Sequence, residues 1–336
     1  MAQDNAQNNP LGGIDIAALS NIPLSLELAE KIITGIQKNI YGEQPFNSFE
    51  PFHEPIRAKK ENGQYIVTEI CYGNEYPNSY LDITYPNEDR IEKHPTVFYT
   101  HGGGFFGGNK SMGDPLAAGN PANTLFDEIV TQGFNLVNVD YALMPEGIFP
   151  IPLIQLAQAI DFCRENAEEY GLDMTRVIIF GGSAGAILTA QYGALIANPA
   201  YQEAMQIYPE IDKKSVKALI VDDAPLIPEN FNWALKVMLG NYCRTIETSD
   251  VIFKKYNALR WFVPDMAPAF FDAGTIDGFP KDMIACGEKL TELGVENEVY
   301  IPDGQHPHGF LNAFRDVEQS AMAVRHVIAF MKKYTG

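Results

Sequence analysis

One stretch, residues 176–190, constrains the fold more than any other: it reads RVIIFGGSAGAILTA. Val177–Phe180 is apolar and rich in β-branched residues, which is typical of a strand buried on both faces. Three glycines lie within the next five residues, and from Ala186 apolar side chains recur at helical spacing. A strand that reverses into a helix so quickly leaves little room for side chains, and its apex residue takes a strained backbone. That residue is Ser183, so the stretch has the pattern of a nucleophile elbow, with an ordinary glycine-rich turn as the alternative.

The rest of the chain alternates between strand and helix patterns. Such alternation predicts an α/β protein with a mostly parallel central sheet flanked by helices. An antiparallel pair precedes it, and the predicted strands are 64–72, 80–85, 96–100, 135–139, 177–180, 218–222, 269–273 and 298–301. The predicted helices are 25–41, 122–132, 153–170, 186–197, 281–293 and 316–334.

Two segments do not fit this alternation, and both are predicted to form a helical cap. The helix at 25–41 precedes every strand, so it must cover something that forms later. The connection after the strand at 218–222 is too long for a plain crossover and is rich in aromatic residues. We therefore predict an N-terminal cap segment at 1–60, a first part of the core at 61–225, a cap insertion at 226–267 and a second part of the core at 268–336.

The charge of the chain excludes some classes of partner. With 24 basic and 43 acidic residues, the net charge of −19 disfavours nucleic acid and anionic membrane surfaces. The four cysteines form no Cys-x-x-Cys and are expected to be reduced. Neither a secretory leader nor an apolar stretch of membrane-spanning length is evident, so a cytoplasmic location is expected, and a homodimer is compatible with the sequence.

A second glycine-rich segment, HGGGFFGG at 101–108, follows the predicted strand 96–100. Consecutive glycines let backbone N–H groups approach a ligand closely. A carbonyl under attack needs such donors where its oxyanion forms. A flexible loop and a phosphate loop are the alternatives, but no Gly-Lys-Ser/Thr follows, so the phosphate loop is disfavoured.

Together, four motifs resemble the hormone-sensitive-lipase-like branch of the α/β-hydrolase esterases. They are HGGGF at 101–105, DYALMPE at 140–146, GGSAG at 181–185 and HGF at 308–310, and the resemblance runs from about residue 95 to the C-terminus. It implies the α/β-hydrolase fold, and an oxyanion hole made by the N–H groups of Gly103, Gly104 and Ala184. The chain departs from the family at Gly182, where an acid is usual, and at Ala142, Met144 and Ala186. These departures concern the pocket wall and hence the substrate.

The resemblance also implies the catalytic acid through its chain order of serine, acid, histidine. Asp277 follows the predicted strand 269–273, where this fold keeps its acid, and is therefore the predicted one. The rivals are Asp272 in that strand and Asp222 or Asp223 one strand earlier.

Only two histidines lie in a loop after Asp277, and His308 is the one in the family's His-Gly-Phe motif. It is the predicted base, and His306 is expected to be a loop-surface residue. A His-x-His pair can also hold a metal, but no carboxylate or cysteine ligand set accompanies it. His101 resembles the family's loop-ordering histidine and is given a structural role.

The sequence thus predicts a serine carboxylesterase that hydrolyses short-chain acyl esters through an acyl-enzyme, with Ser183, His308 and Asp277 as its triad. It predicts a small-molecule ester substrate and neither a cofactor nor a metal. A deacetylase of acetylated sugars is one alternative. A non-catalytic small-molecule receptor on the same fold is the other, although all three triad positions are filled.

Overall fold

The computed structural model describes residues 23–89, 92–111, 116, 124–313 and 318–336. Its described strands form one nine-stranded sheet in the order β1-β2-β3-β5-β4-β6-β7-β8-β9. Their bounds are Arg57–Lys59 (β1), Tyr65–Cys71 (β2), Tyr80–Tyr85 (β3), Pro95–Thr100 (β4), Asn135–Val139 (β5), Asp173–Gly182 (β6), Val216–Asp222 (β7), Ala269–Asp272 (β8) and Asn297–Tyr300 (β9).

The sheet is antiparallel at one side and parallel elsewhere. Strands β1, β2 and β3 pair antiparallel, and β3 joins β5 in the same sense. From β5 through β4, β6, β7 and β8 to β9 all pairs are parallel. The predicted mostly parallel sheet and the antiparallel pair ahead of it are therefore confirmed. Strand β1 was not predicted because its three residues carry two charges and no apolar alternation.

Helices cover both faces of the sheet. Their bounds are Leu26–Tyr41 (α1), Thr124–Thr131 (α2), Ile151–Glu165 (α3), Ala167–Tyr170 (α4), Ala184–Ala197 (α5), Pro199–Met205 (α6), Trp233–Cys243 (α7), Val251–Tyr256 (α8), Pro280–Glu292 (α9), Phe310–Ala313 (α10) and Glu318–Thr335 (α11). Short 3₁₀ turns occupy Lys213–Ser215, Pro228–Asn230 and Ala258–Trp261. Within the described ranges, no helix combines the length and apolar character needed to cross a bilayer.

One predicted helix differs from the structure, and two others begin outside the described residues. The predicted helix at 153–170 is two helices, because Asn166 donates its side-chain amide to Phe162 O (2.8 Å) and ends α3 there. The predicted starts at residues 122 and 316 lie outside the described residues, and α2 and α11 are described from Thr124 and Glu318.

Helix α1 lies both on α7 and on the glycine-rich segment at 101–108. Ser25 caps it by accepting from Leu28 N (3.2 Å), and Glu30 pairs with Arg244 just beyond α7. From its buried face, Gln37 donates to Phe106 O (3.1 Å) and Met144 O (2.6 Å). Helix α1 is therefore connected by polar contacts to the segment at 101–108.

Candidate active site

Ser183 occupies a strained turn between β6 and α5. Its φ of 55° lies in the left-handed region, which a residue with a side chain rarely adopts. The flanking glycines permit the turn: a Cβ at Gly181 would lie 2.2 Å from Gly185 C, and a Cβ at Gly185 would lie 2.0 Å from Thr100 O. Because no larger residue fits at either position, the strand–turn–helix interpretation of the sequence matches the local structure.

His308 lies directly against this serine. Its Nε2 is 2.9 Å from Ser183 Oγ. The backbone N–H of His308 donates to Ile276 O (2.9 Å), and its ring packs edge-on to Phe279 at 5.2 Å between centroids. The imidazole is therefore held within hydrogen-bonding distance of the hydroxyl that it would deprotonate.

The carboxylate on the other side of the imidazole is Asp223, not Asp277. Asp223 Oδ2 lies 2.9 Å from His308 Nδ1, and its side chain is completely buried. Three backbone N–H groups donate to the same carboxylate: those of Gly274 (3.0 Å), Gly309 (3.3 Å) and Phe279 (2.7 Å). Such donors stabilise a buried carboxylate as the anion. Asp277, the predicted acid, is therefore not the carboxylate that contacts His308, and that contact is made by Asp223, one of the rivals.

The loop after β8 explains why Asp223 rather than Asp277 contacts His308. Its backbone wraps around the Asp223 carboxylate, and a Cβ at Gly278 would lie 2.9 Å from Asp223 Oδ2. Asp277 itself is exposed and lines the cavity beside the serine. The loop that was predicted to supply the acid instead supplies two of the N–H groups that donate to Asp223.

Asp222, which precedes Asp223 at the end of β7, has a different environment from that of Asp223. Asp222 pairs in register with Asp272 of β8, and both are buried. Burial raises the pKa of Asp222 to about 7, helped by the charge of Asp223, and raises that of Asp272 well above its ordinary value. Because the two carboxyls lie in register and are both buried, a proton on either one would remove the repulsion between them.

The acids around His308 also set its basicity. Burial by itself lowers the pKa of the His308 imidazole, but the contact with Asp223 and that carboxylate's charge outweigh it. Asp222 and Asp277 act in the same direction, so the pKa of His308 is raised above its ordinary 6.5. An imidazolium formed at Nδ1 and Nε2 is thus stabilised at this position.

The predicted oxyanion donors line the cavity above Ser183. Gly103 and Gly104 have φ values of 106° and 60°, and a Cβ at Gly103 would lie 2.1 Å from Gly107 O. Among the described residues, no acceptor takes the N–H of Gly103 or Gly104. Ala184 follows the serine as the first residue of α5, where backbone N–H groups are free of helical partners. These three N–H groups are available to a ligand.

His306 and His101, the other two histidines considered in the sequence analysis, do not face Ser183. His306 Nε2 lies 3.0 Å from Asp303 O, and its backbone N–H donates to Thr275 Oγ1 (2.9 Å). His101 is buried beneath the glycine-rich loop, with Nδ1 2.7 Å from Gly102 O. Neither ring meets Ser183 in the described contacts, which agrees with a loop role for both.

A cavity of about 1270 Å³ opens over the serine. Its apolar wall comes from the segment at 101–108, from α5 and from α7, with Phe106, Ile187, Leu235, Met238 and Leu239. Its polar side comes from the connection between β7 and α7, the loop after β8 and the first turn of α9, with Asn230, Asn232, Thr275, Asp277 and Lys281. The site therefore offers an ester an apolar and a polar side.

Comparison with known proteins gives the same fold. Residues 81–235 match the family model BD-FAE. An AB hydrolase superfamily protein of Schizosaccharomyces pombe is 30% identical over 230 residues, which are 63% of this chain and 63% of that protein. Carboxylesterase NlhH of Mycobacterium tuberculosis is 27% identical over 71% of this chain and 73% of its own length. Among solved structures, esterase B of Lactobacillus rhamnosis superposes with a TM-score of 0.70 at 16% identity, covering 92% of this chain and 94% of that one.

These matches confirm the α/β-hydrolase fold and the resemblance to the hormone-sensitive-lipase-like esterases. The match to the yeast protein covers slightly less than two thirds of its length. The matched family-model range holds the glycine-rich loop, the serine and Asp223 but ends before His308. The evidence that Ser183 and His308 form a pair therefore comes from the structure of this chain and not from the family-model match.

Proposed function

We propose that this α/β-hydrolase is a serine carboxylesterase with Ser183, His308 and Asp223 as its triad. Its similarity to esterases such as carboxylesterase NlhH supports the hydrolysis of carboxylic esters. The observation that carries the proposal is the unbroken line of contacts from Ser183 Oγ through both ring nitrogens of His308 to Asp223, at 2.9 Å each. A buried carboxylate, an imidazole and a hydroxyl in this order form a nucleophile with its base and the group that orients the base.

The mechanism follows from these positions. Ser183 Oγ attacks the ester carbonyl carbon while its proton passes to His308 Nε2. The Asp223 carboxylate stabilises the imidazolium at Nδ1, and the N–H groups of Gly103, Gly104 and Ala184 bind the oxyanion. The C–O bond to the alcohol breaks as Nε2 returns the proton to the leaving oxygen. Water then attacks the acyl-enzyme by the same path, releasing the carboxylic acid and restoring Ser183.

The substrate class that we propose is a small-molecule ester with a short acyl chain. Next to the donor glycines, Phe106 and Met238 narrow the space: a Cβ at Gly104 would lie 2.7 Å from the Phe106 ring and 3.4 Å from Met238 Sδ. A carbonyl oxygen bound by those donors leaves its acyl carbons against these apolar side chains. We also propose that segments 1–60 and 226–267 form a cap, in which α7 supplies Met238 to the cavity wall and α1 packs against α7.

The test of the nucleophile combines a covalent probe with a variant. An aryl fluorophosphonate should label the wild-type protein, and mass spectrometry should place the adduct on Ser183. Ser183→Ala should lose labelling and at least about 10⁴-fold in kcat while keeping its circular dichroism spectrum. Hydrolysis at the wild-type rate by this variant, or an adduct elsewhere, would contradict the proposal.

The substrate class needs its own measurement. In a panel of p-nitrophenyl esters, kcat/KM should be highest from acetyl to butyryl and fall beyond about six to eight carbons, as the fit to a closed pocket is lost. Acetylated sugars belong in the same panel, because faster turnover of those would replace the short-chain ester with a sugar acetate. Highest activity on long-chain esters would overturn the proposed acyl pocket.

A further inference from the structure

Lys110, a buried lysine that the proposed mechanism does not use, lies just after the glycine-rich segment at 101–108, which we call the oxyanion loop because it carries two of the proposed oxyanion donors. The Lys110 side chain is 3% exposed, and its Nζ is 2.6 Å from Glu69 Oε1. Asp82 Oδ1 and Asp140 Oδ2 each lie 3.8 Å from the same nitrogen. A cation so deeply buried is strongly unfavourable unless carboxylates surround it. Although burial lowers the pKa of Lys110, the charges of these three carboxylates raise it above its ordinary value, so the side chain is an ammonium.

Three separate parts of the sheet converge on this ammonium. Glu69 sits at an irregularity of β2 with a φ of 57°, and its N–H donates to Asp82 Oδ1 on β3 (2.8 Å). Asp140 directly follows β5. Burial raises the pKa of Asp82 to about 7 even though Lys110 opposes the shift. Strained backbone together with three buried acids around one cation is an arrangement that ordinary packing does not require.

The cluster reaches the oxyanion loop through one carboxylate and one imidazole. Asp140 Oδ1 accepts from Lys110 N (2.8 Å) and lies 3.1 Å from His101 Nε2. The other ring nitrogen of His101, Nδ1, lies 2.7 Å from Gly102 O. Tyr141 stacks on this ring at 4.2 Å and donates to His101 O (2.7 Å), so the imidazole has little freedom to turn.

The end of this chain of contacts is the peptide that carries an oxyanion donor. The carbonyl of Gly102 and the N–H of Gly103 belong to one planar peptide unit. A group that fixes the carbonyl therefore also fixes the direction of the N–H. Hydrogen bonds in a low-dielectric chain also polarise one another, so a donor on the carbonyl strengthens the N–H as a donor.

We propose that Lys110 is a positioning residue for ester hydrolysis: through Asp140 and His101 it holds the Gly102–Gly103 peptide where its N–H meets the oxyanion. This inference rests on the proposed function, because it concerns the same oxyanion hole. Loss of one oxyanion donor costs about 10²- to 10³-fold in kcat, so misplacement of one donor should cost less, about 10- to 100-fold.

The experiment compares two buried lysines. Lys110→Met removes the charge but keeps most of the volume, and it should lower kcat by about 10- to 100-fold with KM changed by less than about threefold. An aryl trifluoromethyl ketone, whose hemiketal presents an oxyanion, should bind more weakly by the same factor as the loss in kcat. The control is Lys60→Met, because Lys60 is also buried but pairs with Asp127. That variant should lower the melting temperature without changing kcat or ketone affinity.

A second variant covers the case in which Lys110→Met does not fold. Lys110→Gln keeps a neutral N–H donor for Glu69, and we expect it to lose kcat and ketone affinity in the same proportion. If both quantities in a folded Lys110 variant match those of Lys60→Met within about threefold, the inference is wrong. A wild-type protein that is not labelled at Ser183 would instead overturn the proposed function, so the two failures are distinguishable.

Discussion

Asp223 and Asp277 are two carboxylates on neighbouring connections of the sheet, and both influence the pKa of His308, yet their surroundings are opposite. Asp223 is fully buried and receives three backbone N–H groups as well as the imidazole. Asp277 is exposed at the cavity wall. The loop after β8 thus contributes backbone N–H groups rather than a carboxylate to the contact with His308, and the carboxylate comes from the residue that directly follows β7.

The largest expected effect is on kcat, and it distinguishes Asp223 from Asp277 directly. Asp223→Asn keeps the shape but removes the charge that orients His308 and stabilises its cation, so kcat should fall by about 10³- to 10⁴-fold. Asp277→Asn is the matched control, and we expect kcat within about threefold of the wild type. Both are measured on one p-nitrophenyl ester with labelling of Ser183 as a check on the number of active sites. The reverse ranking would restore Asp277 as the acid.

The same pair of variants should differ in pH dependence. The base must be neutral to accept the serine proton, so kcat/KM falls as the pH drops through the pKa of His308. Asp223 is the main cause that raises this pKa. In Asp223→Asn the acid limb of the residual activity should therefore move to lower pH than in the wild type. Of the four causes that raise the pKa of His308, Asp277 is the smallest, so its variant should show a smaller shift in the same direction. An unmoved limb in Asp223→Asn would mean that this carboxylate does not act on the base.

The smallest expected effect concerns stability and the Asp222–Asp272 pair. Both pKa values are raised in the folded protein, so the folded state retains protons that the unfolded chain releases above an ordinary pKa of about 3.9. This contribution to the free energy of unfolding is full below that pH and is lost as the pH rises through the folded pKa of Asp222, about 7.

Asp272→Asn removes one titrating group and still leaves an amide donor for Asp222. Its melting temperature should consequently fall less between pH 5 and pH 8 than that of the wild type. Asp277→Asn, an exposed acid-to-amide change, should keep the wild-type slope. Equal slopes for Asp272→Asn and the wild type would show that the pair is already ionised in that range.

The fold was predictable where local chemistry decides the structure. The buried runs of β4, β6 and β7 and the glycines around Ser183 admit few alternatives, and the serine and the HGF histidine meet as their motifs suggest. The carboxylate that contacts His308 was not predictable in this way, because positions 222 and 223 look alike in the sequence. What distinguishes them is the backbone at Asp223, whose φ of 61° turns its side chain toward His308 while Asp222 keeps its register with Asp272.

The Lys110 cluster was missed for a related reason. Its acids come from positions 69, 82 and 140, which are far apart in the sequence and carry no shared motif. A lysine after a glycine-rich loop is most simply solvated, and only the pairing of β2, β3 and β5 brings three carboxylates to it. A single cue was available: Glu69 is the only charged residue of β2, and Asp82 is the only one of β3.

Helix α1 has a consequence for anyone who recombines this protein with its relatives. Gln37 donates to Phe106 O and Met144 O. Helix α1 is therefore hydrogen-bonded to the segment at 101–108, which carries two of the proposed oxyanion donors. A chimera that exchanges the cap alone would break these contacts. The transferable module is the helix together with residues 101–108 and 140–146, and crossover points chosen outside that set should preserve turnover while the pocket is changed.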